Sequence, residues 1–310
     1  MPVMHSLYRE AGVVTVDDSV CSRCGECAAI CPGEVLSLEG QRIRVRTDSP
    51  FGCLACGHCM MVCPKNCIRV DGRGLSPDDL RSMPPPSAKA SADGLAALMQ
   101  ARRSVRRFTE QEVPQQVLDR VVAMAATAPM GIPPWDVGCV TVSGRGNVRA
   151  LANRIIAAYE RLLFLFKPWT LALMRPFLGR AAYDQFLHFI LPLAKTYIRH
   201  RREGRDVLFY DAPALLLFHH SPYAEAGETY IACTYAMLAA ESLGLGSTMI
   251  GAAAPIIQRD RALCRRLGIP DGNKPAIALI LGYPATHFRR TVSRTFTPNF
   301  GAQKKREEHA

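Results

Sequence analysis

The sequence predicts two parts: a small cysteine-rich unit, then a larger layered domain of the α/β or α+β class. Nine of the 12 cysteines lie within the first 67 of the 310 residues. The rest of the chain alternates strand-like and helix-like stretches, which is typical of layered folds. Apolar residues make up 48% and charged residues 21%. These ordinary globular values argue against wholesale disorder.

Eight cysteines form two runs with the same C-x2-C-x2-C-x3-C-P spacing. The runs are Cys21, Cys24, Cys27 and Cys31, and Cys53, Cys56, Cys59 and Cys63. This spacing resembles that of bacterial ferredoxins with two [4Fe–4S] clusters. Structural zinc and disulfides are the alternatives, but zinc does not explain four ligands at this spacing, twice, each followed by proline. Cys67 falls outside the pattern and is predicted to be a small buried apolar residue.

The ferredoxin resemblance implies that the fourth cysteine of each run serves the other run's cluster. The first cluster would be held by Cys21, Cys24, Cys27 and Cys63. The second would be held by Cys53, Cys56, Cys59 and Cys31. Such a module carries single electrons, so the larger domain is expected to need them.

Domain boundaries follow from composition. Residues 1–72 are predicted to form the cluster module, with strands at 13–16 and 68–70 and a hairpin within 36–46. Residues 73–93 are rich in Pro, Gly and Ser and lack apolar periodicity, so they are predicted to be a linker. Residues 94–310 would form the second domain.

The second domain contains alternating helical and extended patterns. Helices are predicted at about 95–101, 117–126 and 228–243, and strands at 137–142, 213–219 and 275–283. Four arginines lie within residues 102–107, at the end of the first helix. Arginine forks bind phosphate oxygens well. A solvated basic face or a nucleic-acid patch would give the same local pattern.

Residues 102–108, RRSVRRF, resemble the flavin-phosphate segment of the FMN-dependent nitroreductase family. Further matching segments follow in the family's order, at residues 128–131, 211–214, 238–247 and 280–284. The resemblance covers most of residues 94–300. It implies an α+β sandwich that binds FMN at the interface of a homodimer.

The resemblance also implies a set of cofactor-binding residues. The phosphate and ribityl chain would be held by Arg102, Arg103, Ser104 and Arg106, with Arg290 or Arg294 from the tail. The ring would be supported by Pro129, Met130 and Gly131 and by a turn containing Gly246, Ser247, Thr248, Ile250 and Gly251. No side chain is assigned a catalytic role, because the redox chemistry belongs to the flavin. The loop at 130–135 is shorter than in the family and lacks its Asn and Gln.

An apolar and basic insertion is predicted at about 154–205. It holds ten Lys and Arg against three acidic residues, a net +7 within a chain total of +11. It is predicted to form two or three helices that serve as an active-site lid, as part of the dimer interface, or as a surface on an anionic membrane. No signal peptide or spanning segment is visible, so a cytoplasmic location is predicted.

These features predict an FMN oxidoreductase fed through two [4Fe–4S] clusters. The donor would be a ferredoxin or NAD(P)H, and the acceptor a small organic molecule such as a nitroaromatic, a quinone or an activated alkene. One alternative is an electron-transfer or redox-sensing adaptor that serves a partner protein. A nucleic-acid binder is the other, but phosphate binding already accounts for the arginines, so no nucleic-acid partner is predicted.

Overall fold

A computed structural model describes residues 11–49, 52–131, 136–165, 170 and 179–293. In the cysteine-rich part, strand β1 (Val13–Val16) pairs antiparallel with β4 (Ile68–Asp71). Strands β2 (Leu36–Glu39) and β3 (Arg42–Val45) form a hairpin. Two short helices, α1 (Glu26–Ala29) and α2 (His58–Val62), follow the cysteine loops. The predicted strand pair and hairpin are confirmed.

The predicted linker is not a free tether along its whole length. It contains two short 3-10 turns, at Pro77–Asp79 and Pro86–Ala88. Its first leucines, Leu75 and Leu80, pack against the core of the cysteine-rich part. Two isolated leucines form no periodic stripe, so the sequence pattern did not reveal this packing.

The second domain is built on one antiparallel sheet with the strand order β5-β6-β8-β7. The strands are β5 (Val137–Ser143), β6 (Ala214–His220), β7 (Gly246–Ile250) and β8 (Lys274–Gly282). Antiparallel pairing throughout resolves the class as α+β, because an α/β fold would require a parallel sheet. The strands predicted at 137–142, 213–219 and 275–283 are confirmed to within about two residues.

Helices cover both faces of this sheet. They are α3 (Ala92–Ala101), α4 (Gln115–Ala125), α5 (Arg145–Leu165), α6 (Arg180–Gln185), α7 (Leu191–Arg202), α8 (Ala226–Ser242), α9 (Ala254–Ile257) and α10 (Arg261–Arg266). Strand β6 is buried throughout, and its side chains alternate between two cores. Leu215 and Leu217 pack towards α5 and α7, whereas Leu216 and Phe218 pack towards α4 and α8. Because β6 lies in the interior of the sheet and is covered on both faces, its sequence is a continuous apolar run.

One predicted element differs from the structure. Residues 246–251 were expected to form a turn, but residues 246–250 form strand β7 at a sheet edge. The two glycines of the LGLGS segment, residues 243–247, favour a turn locally. Pairing along β8 overrides that preference.

The described part of the insertion is helical. A π-helical turn, Phe186–Ile190, joins α6 to α7. Residues 166–169 and 171–178, which include more of the predicted lid, lie outside the described residues. Within the described ranges, no helix is both long and apolar enough to cross a membrane.

Candidate cofactor sites

The first set of cysteines surrounds a common cavity. Cys21, Cys24 and Cys27 line it from the first run, and Cys63 reaches it from the second. Left-handed glycines, Gly25 (φ 79°) and Gly57 (φ 74°), turn the cysteine loops into α1 and α2. A residue with a Cβ would be strained in these turns.

The second set of cysteines is also close enough to interact. Burial, together with the neighbouring Cys53, Cys56 and Cys31, raises the pKa of the Cys59 thiol to about 12. Bringing thiolates together in this way is unfavourable without a compensating cation. Within the described ranges, no three or more His, Cys, Asp or Glu side chains are arranged to hold a single metal ion.

The Cys63 thiol has a different electrostatic environment. Burial raises its pKa, but backbone N–H groups of Cys67 and Lys65 and the Cys67 thiol outweigh this and lower it. Cys67 was predicted to be a buried apolar residue. It is buried, but its sulfur lies 3.4 Å from that of Cys63 and it lines the first cavity.

The arginine segment, residues 102–107, lies along the edge strand β7. Ser104 forms a parallel bridge with Ser247, and the Val105 N–H donates to the Ser247 carbonyl at 3.0 Å. The buried Thr248 hydroxyl donates to the Val105 carbonyl at 2.6 Å. Ser247 and Thr248, both predicted to contact the flavin, thus hold the arginine segment in place.

The arginines point to different surroundings. Burial raises the pKa of Glu241 on α8, while Arg102 and Arg103 oppose that shift, so their side chains lie close to this carboxyl. The Arg106 guanidinium lies over the ring of Tyr210, 5.8 Å from its centroid. Tyr210 adopts a left-handed φ of 57°. Tyr210 was not predicted as a site residue, although the segment at 211–214 that resembles the family begins at the next residue.

A large apolar cavity connects Arg106 to the end of β7 and to the insertion. Its volume is about 870 Å³. One wall is formed by Thr248, Ile250 and Gly251, three of the predicted ring contacts. The opposite wall belongs to α5, the π-helical turn and α7, through Tyr159, Leu162, Leu163, Phe186, Phe189, Leu193 and Tyr197.

Residues 129–131 do not reach this cavity in a single chain. Ser104 lies beside edge strand β7, whereas 129–131 lead towards the other edge strand, β5. Three interstrand spacings of about 4.8 Å, or roughly 14 Å, separate these edges. Met130 instead lines a second cavity beside α4 and α8. Trp135 and its three preceding residues lie outside the described ranges.

The C-terminal tail, which follows β8, runs beside the end of the arginine segment. Thr109 N–H donates to the Tyr283 carbonyl, and Ala285 N–H donates to the Arg107 carbonyl, each at 2.9 Å. Arg290 is exposed beyond this point. Arg294 lies outside the described residues.

Sequence comparisons identify both parts of the chain. The Nitroreductase family model matches residues 99–283, more than half of the chain. The chain belongs to the nitroreductase family. A 4Fe-4S dicluster domain model matches residues 13–70. Together these matches identify an FMN-dependent oxidoreductase with an N-terminal iron–sulfur domain.

Individual relatives match part of the chain. A Thermus thermophilus protein named NADH dehydrogenase is 29% identical over 187 residues, covering 59% of this chain and 83% of that protein. The crystal structure of a Bacteroides fragilis nitroreductase with bound FMN is similar with a TM-score of 0.45 and 23% identity, covering 67% of this chain and 96% of that one. A Desulfitobacterium hafniense nitroreductase with bound FMN gives a TM-score of 0.46 at 21% identity, covering 66% and 98%.

The residues present fit both cofactors of a nitroreductase with an iron–sulfur domain. Thiols converge on a cavity in the cysteine-rich part, where iron would supply the positive charge that they lack. In the nitroreductase domain, a cationic segment opens onto an apolar cavity, as a phosphate-bearing planar ring requires.

Proposed function

We propose that this nitroreductase uses two [4Fe–4S] clusters and FMN to reduce a small organic acceptor. When bound, the clusters supply single-electron transfer and the flavin couples it to two-electron chemistry. The chain's own residues bind these groups, position the acceptor and keep water away from it.

The ligand sets that we propose cross between the two cysteine runs. Cys21, Cys24, Cys27 and Cys63 would hold the first cluster, since all four line one cavity. Cys53, Cys56, Cys59 and Cys31 would hold the second, since the other three all act electrostatically on Cys59. Each proposed set would therefore combine cysteines from both runs.

For the flavin, we propose that Ser104 and Arg106 bind the phosphate, with Arg102 and Arg103 completing the positive field. Arg290 or Arg294 would approach from the tail. Strand β7 and Gly251 would border the ring, because they form the cavity wall next to Arg106. Pro129, Met130 and Gly131 would come from a second copy, because the sheet separates them from Arg106 within one chain.

The observation that carries the acceptor assignment is the apolar cavity beneath the insertion. Its volume of about 870 Å³ is near the upper end of ordinary ligand pockets, and its far wall is aromatic and aliphatic. A nitroaromatic, quinone or activated alkene could stack there. We therefore assign the described part of the insertion as a lid over the acceptor rather than as a membrane contact.

Two donors are compatible with this arrangement. A reduced ferredoxin would deliver electrons singly to the clusters. The name of the Thermus thermophilus relative, NADH dehydrogenase, favours NADH as a hydride donor to the flavin. An adaptor that passes electrons to a partner protein would need no acceptor cavity, so the cavity favours the enzyme.

The test is anaerobic purification followed by cofactor analysis and single-turnover assays. We expect about eight irons, about eight sulfides and one FMN per chain. NADH, NADPH or a reduced ferredoxin should reduce the bound flavin, and naphthoquinone or nitrobenzene derivatives should then reoxidise it. Zinc in place of iron, or protein without flavin, would contradict the proposal. Reduced protein that no small acceptor oxidises would favour the adaptor.

A matched pair of arginine variants tests the phosphate assignment. Arg106→Gln should lower FMN affinity about tenfold or more, because a charge-assisted hydrogen bond contributes roughly 1.5–3 kcal/mol. Arg107→Gln should retain FMN, because Arg107, unlike Arg106, does not line the cavity. FMN titration of the apoprotein measures both; equal affinities in the two variants would refute the assignment.

A further inference from the structure

The cysteine-rich part is an internal repeat with an offset of 32 residues. Cys21, Cys24, Cys27 and Cys31 correspond to Cys53, Cys56, Cys59 and Cys63. Backbone conformations repeat with the same offset. The left-handed residues of the first half, at 23, 25 and 34, match those of the second, at 55, 57 and 66. Arg23 N–H and Ala55 N–H each donate to the preceding cysteine sulfur at 3.4 Å.

The turn after the last cysteine of each run also has the same backbone conformation in both halves. A left-handed residue, Glu34 or Asn66, directs the chain back towards the cysteine sulfur. In the first half, the Val35 N–H donates to the Cys31 sulfur at 3.3 Å. In the second half, the Cys67 N–H approaches the Cys63 sulfur in the same way.

The halves differ in the side chain that follows. Val35 and Cys67 occupy equivalent positions, and each is 4% exposed. The valine offers no polar atom, whereas the Cys67 sulfur lies 3.4 Å from that of Cys63. Cys67 also lies against Cys21, another thiol of the same cavity. One cluster site therefore has a thiol beside its ligands where the equivalent position of the other site has a methyl group.

We propose that the Cys67 thiol donates a hydrogen bond to the Cys63 ligand and raises the reduction potential of the first cluster. The inference rests on the proposed ligand sets. Cys63 bound to iron is a thiolate and has no proton, so Cys67 must be the donor. A donor to a ligand sulfur stabilises the more negative, reduced cluster. Cys67 is thus a positioning and tuning residue, not a ligand.

Three variants of the whole chain separate the hydrogen bond from packing. Cys67→Val copies the first half of the repeat and removes the donor. Cys67→Ser keeps a donor at the same place. Val35→Cys adds the equivalent donor to the other site. The midpoint potentials are measured by anaerobic redox titration followed by electron paramagnetic resonance, and iron content is determined for each protein.

We expect Cys67→Val to lower one cluster potential and leave the other unchanged, with iron retained. The cluster potentials of Cys67→Ser should stay closer to those of the unmutated chain. Val35→Cys should raise the potential of the second cluster. Unchanged potentials in Cys67→Val, or an equal shift of both, would overturn the inference. If Cys67→Val loses iron, the result for Val35→Cys decides: no rise in potential overturns the inference. An unmutated chain without clusters would instead contradict the proposed function.

Discussion

At the scale of single residues, Gly246 sets the distance between the arginine segment and the sheet. A Cβ at this position would lie 2.6–2.8 Å from three side-chain carbons of Val105. Val105 is buried and β-branched, so it cannot rotate away. We expect Gly246→Ala to displace the arginine segment, to cost about 1–3 kcal/mol of unfolding free energy and to weaken FMN binding.

Urea unfolding and FMN titration measure this prediction. Gly146→Ala is the matched control, because that glycine lies in α5 and a Cβ there meets open space. Alanine in a helix should be neutral or stabilise the fold by about 0.5–1 kcal/mol. The account fails if Gly246→Ala and Gly146→Ala unfold alike and bind FMN alike.

The residue types in the sequence predicted some of the candidate site residues and not others. Cysteine spacing alone led to the two thiol groups, because the spacing of cluster ligands is nearly unique in sequence. Tyr210 was not predicted, since its position under Arg106 depends on two successive left-handed residues before β6. The relation of Cys67 to Cys63 was also missed, because a repeat offset says nothing about a side chain that differs between the halves.

At the scale of elements, strands were predicted where apolar runs were long, and missed where tertiary pairing decides. Strands β6 and β8 are apolar runs buried in the sheet. Strand β7 begins with glycine and is short, so local propensity indicates a turn. Its extended form depends on β8 on one side and on the arginine segment on the other, partners that no local pattern reveals.

The end of strand β6 gives a pH-dependent prediction. The His219 ring lies close against Gly138 of β5, and its Nδ1 lies 3.1 Å from the Asn273 amide nitrogen, next to β8. Burial, with a contribution from His220, lowers the pKa of His219 to about 4. The unfolded chain binds this proton near pH 6.5, whereas the folded chain does so only near pH 4. Stability should therefore fall as the pH decreases from about 6.5 to 4.

The measurement is urea unfolding at pH 7 and pH 5. His219 should account for a loss of about 2 kcal/mol between these values. His219→Gln should reduce the pH-dependent loss by that amount, while the exposed His287→Gln should not. The same pH-dependent loss in both variants would contradict the role of His219.

At the scale of the whole molecule, helix α8 leaves part of its apolar surface exposed. Ala232, Cys233 and Ala236 face the sheet and are buried. The opposite face presents Tyr230, Ile231 and Tyr235, which are 45%, 42% and 39% exposed. A helix that is apolar on all sides is normally buried on all sides. Sequence periodicity identifies α8 as a helix but does not identify what covers its second face.

In the dimer that we propose, a second copy of the chain would cover this face and complete the flavin site. We expect the protein to sediment as a dimer at micromolar concentration. Ile231→Lys should shift it towards monomer, since burying an unpaired charge in an interface is costly. FMN occupancy should fall with dimer content, because in the proposed dimer residues 129–131 of one copy would complete the site around Arg106 of the other. Met83→Lys, at an exposed linker methionine, should change neither property. A monomeric native protein that retains stoichiometric FMN would show that one chain suffices and that the dimer proposal is wrong.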